Sequence, residues 1–111
     1  MNDIQRLIGA WHIEAFPTAS IQIIALKLLE EAIELAVAAG LEPSGILRRC
    51  MVEATRDHSG GIDEEICDVM IVAMALASRR HINDLEASII SKHEKNLARF
   101  TPQSSDEQPH K

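Results

Sequence analysis

Apolar residues recur at intervals of three and four along most of this chain, and proline or glycine separates the periodic segments. This spacing is typical of one face of an α-helix, and no segment alternates in polarity as a strand would. Pro17 and Gly40 mark two boundaries, because proline disrupts a helix and glycine commonly ends one. Four helices are predicted: over residues 3–15, from a cap at Thr18 or Ser20 to about 39, from 62 or 63 to 79 or 80, and from Asn83 to about 99.

The segment between residues 41 and 61 has a weaker pattern. Residues 43–45, Pro-Ser-Gly, predict a turn, residues 46–56 are compatible with a short fifth helix, and residues 59–61 predict a loop. The same segment carries several arginines and a histidine. Its role stays open between a lid, an oligomer contact and a specificity loop.

The composition favours helices packed on helices. Of the 111 residues, 46% are hydrophobic and only 3% are aromatic, so the core must be aliphatic. We therefore expect an all-α fold, an antiparallel bundle of four to five helices, in one domain over residues 1–100. A disordered polar tail is expected over residues 101–111. A chain this small buries a moderate share of its surface, so oligomerisation is expected to complete the bundle.

Charge and cysteine content narrow the function classes. The net charge of −6 argues against binding a nucleic acid polymer. Cys50 and Cys67 form no CxxC pair, and Cys67 has the spacing of a small core residue, so a reducing cytoplasmic location is expected. The apolar stretch 66–77 is about 12 residues long, too short to cross a bilayer, and no secretory signal pattern is seen.

Two pairs of carboxylates carry the chemistry. Glu31 and Glu34 lie one helical turn apart, and Glu65 and Asp68 repeat this spacing on a later helix. Either pair alone is common on a solvated helix face. Four converging carboxylates would repel one another unless a cation compensates, and hard oxygen ligands select Mg²⁺, with Mn²⁺ as an alternative. The two pairs together therefore predict a magnesium site.

The acidic pattern resembles the signature of a known family. Glu30-Glu31-x-x-Glu34 followed by Glu65-x-x-Asp68 is similar to the motifs of the MazG-like, all-α nucleoside triphosphate pyrophosphohydrolases. Two flanking patterns are also similar to that family, namely Trp11-His12 ahead of Phe16-Pro17, and Lys92-His93-Glu94-Lys95-Asn96-x-x-Arg99. The resemblance covers residues 4–100.

The resemblance implies a homodimer or homotetramer that hydrolyses a (d)NTP to the monophosphate and pyrophosphate. It implies metal ligands at Glu31, Glu34, Glu65 and Asp68, and a catalytic role for Glu30 and Glu31, with Glu30 orienting or deprotonating the attacking water. Phosphate-binding positions would be Lys27, Lys92, Lys95, Asn96 and Arg99, and base-binding positions Trp11 and His12.

Several alternatives stay open. A phosphoribosyl-ATP pyrophosphohydrolase shares the helical scaffold and acidic motifs, and a non-catalytic helical interaction module could carry acidic faces for solubility alone. The cations near the end of the last helix also suit its dipole without any function. Trp11 on a helix is more often a core residue than a base platform. The preferred base and sugar, the number of metal ions and the choice between dimer and tetramer are not determined.

Overall fold

The computed structural model describes residues 2–99, and over that range every regular element is an α-helix. The five helices are α1 (Asn2–Ala15), α2 (Ile21–Ala38), α3 (Pro43–Thr55), α4 (Ile62–Arg79) and α5 (Leu85–Arg99). The predicted all-α class is therefore confirmed for these residues. The polar tail predicted over residues 101–111 lies outside the described part of the chain.

Helix α2 begins after Ser20, one of the two caps that the sequence leaves open, and ends just before Gly40 as predicted. The hydroxyl of Ser20 accepts a hydrogen bond from the Ile23 backbone N–H at 3.1 Å, so Ser20 is the N-cap. At the other end Gly40 has φ +96°, and the Leu41 N–H donates to the Ala36 carbonyl at 3.0 Å. Glycine suits this position because a β-carbon would strain the left-handed backbone.

Two other helices begin at residues that the sequence pattern did not predict. Residues 43–45, expected as a turn, form the first turn of α3, because Pro43 has the backbone angle of a first helical position and lacks only an N–H that would be unpaired there. Helix α5, expected from Asn83, begins two residues later. Its cap is Asp84, whose carboxylate accepts a hydrogen bond from the Ala87 N–H at 3.0 Å.

The connection from α4 to α5 begins with a tight turn. The Ile82 N–H donates to the Ala77 carbonyl at 3.0 Å, and the His81 N–H donates to the Ser78 carbonyl at 3.0 Å. These two bonds form a Schellman motif, in which the residue after the cap adopts a left-handed conformation. That residue is His81, with φ 60°, where glycine is usual.

The described residues form two units. The first comprises residues 2–18 and 60–99, and contains α1, α4 and α5. Within it α1 packs against α5, and the buried residues are Ile4, Phe16, Ala77 and His93. The second comprises residues 19–59, in which α2 packs against α3, and no described residue of this unit is buried.

Most large apolar side chains of α2 and α4 are exposed. The apolar face predicted for α4 is exposed except at Ala77, and Leu28 and Leu35 of α2 are about half exposed. Cys67, predicted as a core residue, is exposed. The prediction is wrong because α4 is apolar around most of its circumference and most of that surface is not covered by another helix. Among residues 2–99, no helix is both long enough and apolar enough to cross a membrane.

Candidate active site

The acidic motif of α2 forms one stripe with a lysine. Lys27, Glu30, Glu31 and Glu34 are spaced so that they follow one face of the helix over two turns. The Lys27 ammonium lies 3.8 Å from a carboxylate oxygen of Glu30 and 4.0 Å from one of Glu31. Lys27, Glu30, Ile33 and Glu34 line a shallow hollow of about 340 Å³. Lysine therefore offsets part of the negative charge of this face.

The acidic motif of α4 lies in the first two turns of that helix. Glu65 and Asp68 are one turn apart, both are exposed, and neither makes an ion pair within residues 2–99. The N-cap of α4 is Gly61, which has no side chain to accept a hydrogen bond from the first-turn N–H groups. Asp63, Glu64 and Glu65 instead bring negative charge to this end of the helix.

Glu65 is turned back toward the loop that precedes its own helix. A β-carbon placed on Gly60 would lie 2.6 Å from Oε1 of Glu65 and 3.6 Å from Oε2 of Glu64. The corresponding position on Gly61 has no atom within 4 Å. The carboxylate of Glu65 thus occupies the space that a β-carbon at residue 60 would need.

The donor chemistry of the four predicted ligands fits a hard cation. All four are carboxylates, the donors that Mg²⁺ and Mn²⁺ prefer. In residues 2–99, however, the structure holds no group of three or more His, Cys, Asp or Glu side chains arranged to bind a metal ion. The convergence of Glu31, Glu34, Glu65 and Asp68 on one ion therefore stays a prediction.

Helix α5 carries a cationic stripe at its C-terminal half. Lys92 and Lys95 are exposed and have no carboxylate partner in the described part of the chain. The Arg99 guanidinium donates a hydrogen bond to the Asn96 side-chain oxygen at 2.9 Å, and Asn96 is half-buried. Two lysines are thus available to an anion, while Asn96 orients Arg99.

The predicted base-binding residues belong to a cluster of rings in the first unit. The Trp11 ring lies edge-on to Phe16 and to His93, with ring centroids 5.9 Å and 5.1 Å apart, and 6.0 Å from His12. Trp11 and His12 are both half-buried. Trp11 therefore has a packing role between α1 and α5, and its contact with a base stays a prediction.

Sequence reasoning missed two features of this region. The flanking pattern over residues 92–99 includes His93 without giving it a core role, yet this side chain is only 9% exposed. A signal was present, because Leu85, Ile89 and His93 recur every four residues and form the half-buried to buried stripe of α5. The contact between Gly60 and Glu65 had no signal, because it depends on a side-chain rotamer.

A larger hollow lies at the α4–α5 corner. It measures about 690 Å³ and is lined by residues that include His81, Asp84 and Glu86. It is separate in sequence from both acidic motifs, and Asp84 already serves there as the cap of α5.

No protein-family model, no curated protein and no solved structure matches the chain.

Proposed function

We propose that this protein is a magnesium-dependent nucleoside triphosphate pyrophosphohydrolase of the MazG-like, all-α type. It would convert a (d)NTP and water to the monophosphate and pyrophosphate, and so remove unwanted nucleotides in the cytoplasm. Glu31, Glu34, Glu65 and Asp68 would supply the ligands of Mg²⁺, or of Mn²⁺ in its place.

The observation that carries the proposal is the order of charges along α2. Lys27, Glu30, Glu31 and Glu34 follow one face, with the lysine within 4.0 Å of two of the carboxylates. An acidic face used only for solubility gains nothing from several carboxylates at one-turn spacing, since like charges there destabilise a helix by about 0.2–0.5 kcal/mol per pair. The second pair, Glu65 and Asp68, repeats this unfavourable spacing.

The reaction assigns a task to each group. A bound Mg²⁺ would neutralise phosphate charge and make a bound water more acidic. Glu30 would accept a proton as the water oxygen bonds to the α-phosphorus and the bond from that phosphorus to the bridging oxygen breaks. Lys92 and Lys95 would hold the phosphate oxygens, because both ammonium groups are exposed and have no carboxylate partner among the described residues.

The active form in this proposal is a homo-oligomer. Ile71 and Val72 of α4 are 63% and 67% exposed, and the large apolar residues of α2 are also uncovered. Full burial of one such side chain contributes about 1.5–3 kcal/mol. An interface in which a second copy covers these helices would therefore stabilise the assembled form. A dimer and a tetramer both satisfy this requirement.

A substrate panel tests the proposal. Purified protein should release pyrophosphate from at least one canonical or modified (d)NTP with Mg²⁺, and the release should stop with EDTA. Release from phosphoribosyl-ATP alone would favour the related activity on that substrate. If no compound gave Mg²⁺-dependent pyrophosphate release, the result would contradict the proposal. It would favour a non-catalytic interaction module, which the exposed apolar faces of α2 and α4 also fit.

A further inference from the structure

One side of α2 is an apolar stripe that the described residues of a single copy leave uncovered. Ile21, Ile24, Leu28 and Leu35 follow one another at intervals of three, four and seven residues, and we name this stripe the α2 seam. The four side chains are between 42% and 63% exposed. Apolar residues with this spacing are typical of a helix that pairs lengthwise with another helix.

The α2 seam lies on a different side of the helix from the contact with α3. Within its unit α2 packs against α3, and its half-buried apolar residues are Ile33 and Ala36. At 100° per residue, these two lie roughly 90–150° around the helix from the middle of the seam. The seam is therefore open to a partner while α3 keeps its place.

The unit formed by residues 19–59 has enough exposed apolar surface for a stable interface. Twelve of its large apolar side chains are 42–64% exposed. At about 25 cal/mol per Å², full burial of one such side chain corresponds to about 60–120 Å², so the twelve expose on the order of 500 Å². A standard interface buries about 800 Å² per partner, and a little over half of that area is non-polar. The exposed apolar area is thus what a stable dimer needs.

We propose that the α2 seam binds a second copy of this chain, with α2 of one copy packed along α2 of the other. A closed two-fold pairing is the commonest arrangement of soluble oligomers, and it covers the same surface on both copies at once. The inference rests on the homo-oligomer of the proposed function and names the helix that carries the acidic motif as its interface.

Glu31 occupies the one charged position of the seam. It lies three residues after Leu28 and four before Leu35, so a helix that covers both leucines also passes its carboxylate. This side chain is 45% exposed and lies 4.0 Å from the Lys27 ammonium. A charge in such a seam weakens association, because it must be desolvated. The second copy therefore forms one wall beside Glu31, and the carboxylate lowers the affinity between copies.

Sedimentation equilibrium of the full chain, without nucleotide or metal, tests the proposal with three variants of α2. Ile24→Lys places an unpaired charge in the seam of both copies and should raise the Kd of the oligomer by about tenfold or more. Gln22→Lys is the matched control, because Gln22 is exposed in the same first turn but lies roughly 160° around the helix from Ile24. Glu31→Leu completes the apolar seam and should lower the Kd by about tenfold.

The two opposite shifts make the test independent of folding defects, since a variant that folds poorly does not associate more tightly. A raised Kd for Ile24→Lys and a lowered Kd for Glu31→Leu, with Gln22→Lys equal to wild type, support the proposal. An unchanged Kd in either seam variant, an equal rise in both lysine variants, or a wild-type monomer at all concentrations overturns it. If the Kd shifts appear but no (d)NTP is hydrolysed, the proposed function fails and the interface stands.

A second readout uses wild type alone. No described residue of the unit formed by residues 19–59 is buried in one copy, so contact with a second copy should stabilise α2. Hydrogen exchange of the α2 backbone amides should therefore be slower above the Kd than below it. Exchange in α2 that is the same on both sides of the Kd would overturn the proposal, because the oligomer would then form through another surface.

Discussion

The ring centroids of Trp11 and His93 lie 5.1 Å apart with the ring planes at 78°, and this edge-on contact joins α1 to α5. The resemblance assigns base binding to Trp11 itself, and His93 lies between Lys92 and Lys95, to which it assigns phosphate binding. In the structure Trp11 is half-buried and His93 is buried, so their first role is to fix α5 against α1. That contact makes a stability prediction.

Trp11→Ala should lower the free energy of unfolding by about 2 kcal/mol, because it removes a half-buried aromatic side chain from the ring cluster. Urea unfolding followed by circular dichroism measures this. In a double-mutant cycle with His93→Ala, the coupling energy should be about 0.5–1.5 kcal/mol. The exposed Gln5→Ala is the control, and a coupling near zero would mean that the two rings do not stabilise each other.

His81→Gly should stabilise the protein. His81 holds φ 60° in the Schellman turn, and glycine relieves the strain of the β-carbon while adding disorder to the unfolded chain. The net gain should be about 0.5–1 kcal/mol, seen as a higher melting temperature. Ser78→Gly, within the last turn of α4, should destabilise instead. A loss of stability in both variants would contradict the assigned turn.

Ser20→Ala should cost about 1 kcal/mol, because the Ile23 N–H loses its side-chain acceptor at the start of α2. The matched control is Ser44→Ala, an exposed serine in the first turn of α3. Chemical denaturation compares the two variants. If both lose the same stability, the hydrogen bond of Ser20 is not what stabilises α2.

The helices could be predicted where a local signal decides them. Pro17, Ser20 and Gly40 act within a few residues of their own positions, so the ends of α2 followed from sequence. The start of α3 did not, because Pro43 suits a turn and a first helical position equally. The cap of α5 could not be predicted uniquely either, because Asn83 and Asp84 are both residues that commonly cap a helix. The structure shows that Asp84 is the cap.

Burial was the harder property to predict. The apolar faces of α2 and α4 follow from periodicity, but periodicity does not reveal what covers a face, and in one copy these faces are exposed. Helical spacing places each acidic pair one turn apart on its own helix, and the convergence of the two pairs on one ion stays a prediction. The turn of Glu65 toward Gly60 could not be predicted, because a rotamer depends on its local surroundings.

Ile71→Lys should weaken self-association. Ile71 is 63% exposed on α4, and a lysine in a covered apolar interface would bring an unpaired charge with it. The dissociation constant of the oligomer should rise by about tenfold or more, measured by sedimentation equilibrium. Ser78→Lys places the same charge on the same helix, near its C-terminus, and should leave assembly unchanged. A wild-type monomer at all concentrations would contradict the proposed oligomer.

The most direct measurement is Mg²⁺-dependent pyrophosphate release by Asp68→Asn beside Asp63→Asn, with the (d)NTP on which wild type is most active. Both aspartates lie on α4, and only Asp68 is a proposed ligand. A metal site predicts a fall on the order of 100-fold for Asp68→Asn and near wild-type release for Asp63→Asn. Equal activity in the two variants would contradict the assignment of the magnesium site.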